Sequence, residues 1–293
     1  MGDIVTTHRT TIGSGIDHVL AIAGLTIREV WRRRFLAIAF GLGAACVALF
    51  GVGVHFAQLD VLRRGAGRSL IMDSAFNLMV MAGLYAESFL GIMAAVLIAV
   101  PAMAGETASH TLDVLAVKPF RRATLVVGKW LGLACVLALY VGALAAGTIG
   151  VTWALSGYVP PRPAEGVALM ALEAIVLMSI TLLGGTRLSV VANGALSLGL
   201  YGLAFIGGWL EQIGGFTRSD ALVDIGIVTS LLVPSEAIWK KAAHIMQTTV
   251  VNDLAISPFS VANPPSAAMV IYTVVYVAAL VVAATYALER RDL

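Results

Sequence analysis

Six long apolar runs constrain this chain more than any other feature. They lie at about 35–57, 78–104, 124–155, 166–184, 187–210 and 266–288. Each is close to or beyond the roughly 20 residues that a helix needs to cross a bilayer. In hydrocarbon every backbone N–H and C=O must be satisfied within the protein, which leaves helices or a closed barrel. The short alternating segments of a barrel are missing, and Gly and Ala recur within the runs, so the runs read as helices. Hydrophobic residues make up 59% of the chain and charged residues 12%, whereas a soluble domain carries about 25% charge. Too little charge remains to coat a water-facing surface. The expected fold class is therefore an all-α membrane protein with six transmembrane helices.

The flanking charges suggest an orientation. Residues 1–17 are polar and read as a cytoplasmic tail. Residues 18–34 carry one apolar face and end in Arg28, Arg32, Arg33 and Arg34. That pattern fits a helix lying in the membrane interface and anchored at the headgroups; the plainer alternative is an extension of the first span. With the N-terminus inside, Lys118, Arg121, Arg122, Lys129, Arg187, Arg290 and Arg291 join those arginines on the inner side. Arg63, Arg64, Arg68, Arg162, Arg218, Lys240 and Lys241 fall outside. Both termini are thus expected in the cytoplasm. The connection at 211–265 is expected outside, as short interfacial helices or a re-entrant pair, with an amphipathic helix starting near Ser235.

Several chemistries can be set aside. Gly128-Lys129 is followed by Trp130 and has no glycine five residues upstream, so the phosphate-cradling loop fails. The histidines form no HxxxH or HExxH pattern, and no Cys/His metal spacing exists. No metal site, catalytic residue or nucleic-acid surface is expected. Met72, Met79 and Met81 could in principle hold copper(I), but their loose spacing reads as apolar filler. Cys46 and Cys135 read as buried thiols acting as small hydrophobes. Gly41, Gly43, Gly51, Gly53, Gly142, Gly147, Gly150, Gly199, Gly202, Gly207 and Gly208 read as points of close helix approach.

Polar residues inside the runs are candidates for a translocation path: Glu87, Glu173 and Asn193. A carboxylate in hydrocarbon costs several kcal/mol unless it is paired, protonated or hydrated. Glu87 and Glu173 either line an outward-facing cavity, pair across helices, sit near the headgroups, or bond a neighbouring Ser or Thr.

The polar segment between the second and third runs is too regular for a plain connector. Glu106 opens it where a helix dipole favours an anion. Thr111, Leu112 and Leu115 follow, then the break at Pro119 and the cations Lys118, Arg121 and Arg122. Glu106-x4-Thr111-Leu112, then Lys118-Pro119-x-Arg121-Arg122, then Gly128-Lys129-x-x-Gly132 resembles the cytoplasmic segment of type-2 ABC exporter permeases. Within that family the closest likeness is to the permeases of nitrous-oxide-reductase maturation and gliding motility. The Arg-rich helix at 18–34 is similar to the family's elbow helix. The family pattern often has Gly or a basic residue before the Thr, where this chain has Ser109-His110.

The resemblance implies a permease domain over residues 18–293 in a bacterial-type inner (cytoplasmic) membrane. It implies pairing with a second copy and docking on a separate ATP-binding cassette ATPase through residues 105–122. ATP and Mg would then be bound by that partner and no cofactor by this chain. An alternative is a membrane scaffold that works mechanically on a periplasmic accessory protein, for example in metalloenzyme maturation, without moving a bulk solute.

Overall fold

A computed structural model of the chain describes residues 15–63, 69–108, 122–254, 259 and 264–290. Among them are ten helices and no strand: α1 (Gly15–Arg32), α2 (Arg34–Arg63), α3 (Leu70–Ala108), α4 (Arg122–Ser156), α5 (Pro163–Gly184), α6 (Val190–Thr217), α7 (Asp220–Leu232), α8 (Ser235–Met246), α9 (Thr249–Leu254) and α10 (Ala267–Glu289). Six of them, α2, α3, α4, α5, α6 and α10, are long and apolar enough to cross a membrane. The chain is an all-α membrane protein.

The helices α3 and α5 form the centre of the bundle, with 67% and 61% of their most apolar windows buried, whereas α2 and α10 are peripheral at 17% each. Leu84, Leu133, Leu137, Met170, Met178 and Leu182 are fully enclosed where α3, α4 and α5 meet. Met81 belongs to that core and Met72 and Met79 pack against it, which is the filler role. The cysteines differ from expectation: Cys46 is half-buried and Cys135 exposed. Both are on spans whose outer faces meet lipid, where a thiol is no less at home than in the core.

Helix ends differ from the apolar runs in physically readable ways. The second span begins at Leu70, not near 78, and carries Asp73, Ser74 and Asn77 in its first turns. Asn77 is tolerated because its Nδ2 donates to the Tyr158 hydroxyl and to the Met246 carbonyl, both at 2.8 Å. The helix also continues through Pro101 to Ala108. A proline removes one N–H but need not end a membrane helix whose neighbours compensate. The helix α6 starts at Val190, where the Ser189 side chain caps Ala192 N at 3.4 Å. It then runs past 210 to Thr217.

The helices α7 and α8 form a pair bent by 105°, with the break at Val233 and Pro234, where proline cannot continue a helix. The last carbonyls of α7 have no helical partner. Two hydroxyls from α10 supply it: Tyr272 donates to Leu231 O at 2.6 Å and Tyr276 to Leu232 O at 2.8 Å. The helix α8 is not the surface-lying amphipathic helix expected from its sequence. It is buried almost all round, Glu236 and Lys240 included. It packs mainly on α5, with further contacts to α6 and α3.

Candidate functional site

The polar segment after α3 joins the two helices at one end of the bundle. Thr111, Leu112, Leu115, Lys118, Pro119 and Arg121 lie outside the described residues, as do the side chains of Glu106 and Arg122, which end α3 and begin α4. The structure does describe the frame around them. Lys129 is buried in the first turns of α4, and its Nζ donates to the Ala102 carbonyl on α3 at 2.7 Å. One charged hydrogen bond thus clasps α3 to α4 at the base of the segment.

A second clasp involves α1. It crosses the same part of α4 over Gly128 and Gly132, which are spaced as in a close-packing helix pair. A Cβ on Gly128 would sit 2.7 Å from Ile22 Cβ and 3.0 Å from the Val19 carbonyl oxygen. On Gly132 it would sit 2.7 Å from the Ala23 carbonyl oxygen. The buried face of α1 is built of Ala23, Thr26 and Val30, while Ile16, Leu20, Leu25 and Trp31 are exposed on its other sides. Arg28, Arg32, Arg33 and Arg34 are all exposed. Arg33 pairs with Glu29 on the surface, and Arg34 already belongs to α2.

The three in-span candidates are deeply buried, at 2% exposure for Glu87, 1% for Glu173 and 0% for Asn193. The structure does not bring them together. Glu87 accepts from the Thr148 hydroxyl of α4. Glu173 accepts from the Ser88 hydroxyl of α3 at 2.5 Å. Asn193 donates from Nδ2 to the Thr181 carbonyl at 2.9 Å and fits against Gly184, tying α6 to α5 beside their turn. Each is an interhelical tie, and Glu87 Oε2 is a buried atom with no hydrogen-bond partner among the described residues.

For Glu173 this geometry makes a stability prediction. Glu173→Gln keeps an acceptor for Ser88 and is expected to move stability by less than about 0.5 kcal/mol. Glu173→Ala loses the acceptor and leaves a cavity, and is expected to cost about 2–4 kcal/mol. Thermal unfolding in detergent compares them. Equal losses would mean that the charge, not the hydrogen bond, matters.

Sequence reading did not find the buried polar groups of α8. Lys240 Nζ, read as an outer-surface cation, is 2.7 Å from Glu211 on α6. The signal was weak but present: Glu236 and Lys240 are four apart, directly after a proline, in a chain where charges are scarce. An apolar groove of about 850 Å³ runs between α2 and α4, lined by Val47, Phe56, Leu144 and Val151 among others. A polar cavity of about 700 Å³ opens at the Leu70 end of the bundle, bordered by Asp73, Tyr158, Arg162, His244, Asn252 and Asp253. Arg162 holds a left-handed backbone, φ 40°, at its rim, a conformation that costs a non-glycine residue about 1 kcal/mol or more.

Compared with known proteins, residues 15–293 match the family model described as ABC-2 family transporter protein. No curated protein matches the chain.

Proposed function

The chain belongs to the ABC-2 family of transporter proteins and is a permease subunit of an ABC transporter; on that premise we propose that it is the membrane half of an exporter driven by a separate ATPase. The observation that carries the reading is the clasped base of α3 and α4. A partner that pushes on residues 105–122 would push on both helices at once, because Lys129 holds Ala102. The glycine contact passes the same displacement to α1. This is a rigid-body route of the kind that converts a small local shift into a change of packing. It uses the two best-buried spans, α3 through the clasp and α5 through its contacts with α3 and α4.

The peripheral α2, with its exposed Leu49, Val52 and Phe56, supports pairing with a second copy across the apolar groove. Both termini then lie in the cytoplasm of a bacterial-type inner membrane, with ATP and Mg on the partner. The polar cavity at the Leu70 end favours a second reading, in which the ATPase stroke acts mechanically on a periplasmic accessory protein docked there.

The test is reconstitution of the full chain in proteoliposomes with an ATP-binding cassette ATPase subunit from the same cell. ATP-dependent movement of a solute away from the ATPase face supports export. Stable complex formation and ATP turnover without solute movement supports the mechanical reading. Failure to bind any such ATPase would sink both.

Lys129→Met tests the clasp. Methionine keeps the volume but removes a charged hydrogen bond worth about 1.5–3 kcal/mol. ATPase binding is expected to stay within about twofold, while turnover coupled to the permease falls about tenfold or more. Equal loss of binding and coupling would place Lys129 in docking instead.

A further inference from the structure

Ions buried in a membrane bundle survive when they are matched, because an uncompensated charge is expensive there. The group at the contact of α6 with α8 is not matched. Lys240 Nζ is satisfied, 2.7 Å from Glu211 Oε2 and 2.9 Å from the Gly208 carbonyl oxygen. Glu236, one turn earlier on α8, is 5% exposed. Its charged neighbours are Lys240 and Glu211. Two carboxyl groups therefore share one ammonium, and that ammonium is engaged by Glu211. Among the described residues no ion pair or side-chain hydrogen bond reaches Glu236.

Glu236 lines a small pocket with the rings of Tyr85, Trp209, Trp239 and Phe259, and with Gly208, Gln212 and the Glu211-paired Lys240. The rings of Tyr85 and Trp239 have centroids 5.1 Å apart, and those of Tyr85 and Phe259 are 5.3 Å apart. Trp209, also lining it, is 38% exposed. Aromatic faces combined with a carboxylate attract ammonium groups. Size then discriminates. The cavity is about 20 Å³, room for about one water molecule. A primary ammonium is about that large, and a trimethylammonium is much larger.

We propose that this pocket binds a primary ammonium group, with the Glu236 carboxylate as counter-ion and the four rings as walls. Such a group is carried by a soluble amine or by the headgroup of phosphatidylethanolamine. The inference stands on the pocket alone and does not depend on export or on the ATPase.

Two arms test it on the full-length chain. In the first, protein in phosphatidylcholine nanodiscs is titrated with ethylammonium chloride, with tetramethylammonium and sodium chlorides at equal ionic strength. Fluorescence of Trp209 and Trp239 is read. In the second, protein taken from mixed phosphatidylethanolamine and phosphatidylcholine vesicles is weighed by native mass spectrometry for retained lipid. A saturable ethylammonium response alone assigns a soluble amine. Selective retention of phosphatidylethanolamine, with or without it, assigns the headgroup. In either case Glu236→Gln should weaken binding about thirtyfold or more, and Phe259→Ala should newly admit tetramethylammonium. No response in either arm overturns the proposal. So does binding unchanged in Glu236→Gln, or a wild-type pocket that takes tetramethylammonium as readily as ethylammonium. Should Glu236→Gln fail to fold, an unaltered size preference in Phe259→Ala overturns it instead.

Discussion

The double variant Leu112→Asp, Leu115→Asp is expected to lose its ATPase while keeping its own fold. The two leucines are three apart, the spacing that puts side chains on one face of a helix. Between the anion Glu106 and the cations Lys118, Arg121 and Arg122, they are the apolar centre of an otherwise polar stretch. A groove on a soluble partner would bury that centre. Each leucine burial is worth about 2 kcal/mol, and an aspartate in its place adds desolvation. Together the loss is about 4 kcal/mol or more, about a thousandfold in affinity. Copurification and permease-dependent ATP turnover should both vanish. The chain alone should unfold at the wild-type temperature, because the described core is built chiefly by α3, α4, α5 and α8. Unchanged ATPase binding would remove this segment from the docking surface, whatever its likeness to the family.

The sequence carried the bundle well, for a simple reason. A run of apolar residues long enough to cross a bilayer has few other options, so α2, α4, α5 and α10 fall close to their runs. The misses share one cause. A run ends where hydropathy ends, whereas a helix ends where its backbone loses partners. Asp73, Ser74 and Asn77 therefore hid the first turns of α3, although Asn77 bonds Tyr158 and the Met246 carbonyl. Those partners are remote in sequence. The fate of α8 was hidden in the same way. Its alternation of charged and apolar residues reads as a surface helix, and only the fold brings Glu211 to Lys240.

The candidate path residues show the limit from the other side. Glu87, Glu173 and Asn193 were legible as costly groups in hydrocarbon. Which Ser, Thr or carbonyl each would meet was not: Thr148, Ser88 and the Thr181 carbonyl make each path candidate an interhelical tie as well. The glycines divide similarly. Gly43, Gly147 and Gly207 meet neighbouring helices closely, whereas Gly41, Gly142, Gly150, Gly199 and Gly202 have nothing within 4 Å. Composition cannot tell the two sets apart, because the difference lies in which face of the helix is covered.

That division gives a sharp contrast within one helix. Gly132→Ala, and more strongly Gly128→Ala with Gly132→Ala, should detach α1 from α4. The added carbons would press on the Ala23 carbonyl oxygen at 2.7 Å and the Val19 carbonyl oxygen at 3.0 Å. These are backbone atoms, which cannot swing aside as a long side chain can. The whole of α1 must therefore move, exposing the contact made by Ala23, Thr26 and Val30. The expected cost of the double variant is about 2–4 kcal/mol, as for overpacking in other well-fitted contacts. Gly142→Ala makes the same chemical change on the same helix where no atom lies within 4 Å. It should be neutral or stabilising by up to about 1 kcal/mol, since alanine is the better helix former. Thermal unfolding gives the energies, and a cysteine pair placed across α1 and α4 reports the contact by its cross-linking yield. If the elbow also relays the ATPase stroke, the Gly128 and Gly132 double variant should bind the partner normally and still turn over ATP uncoupled from the permease. Full coupling with α1 detached would confine the helix to membrane anchoring and leave α3 and α4, clasped by Lys129, to carry the stroke from the docking segment into the bundle.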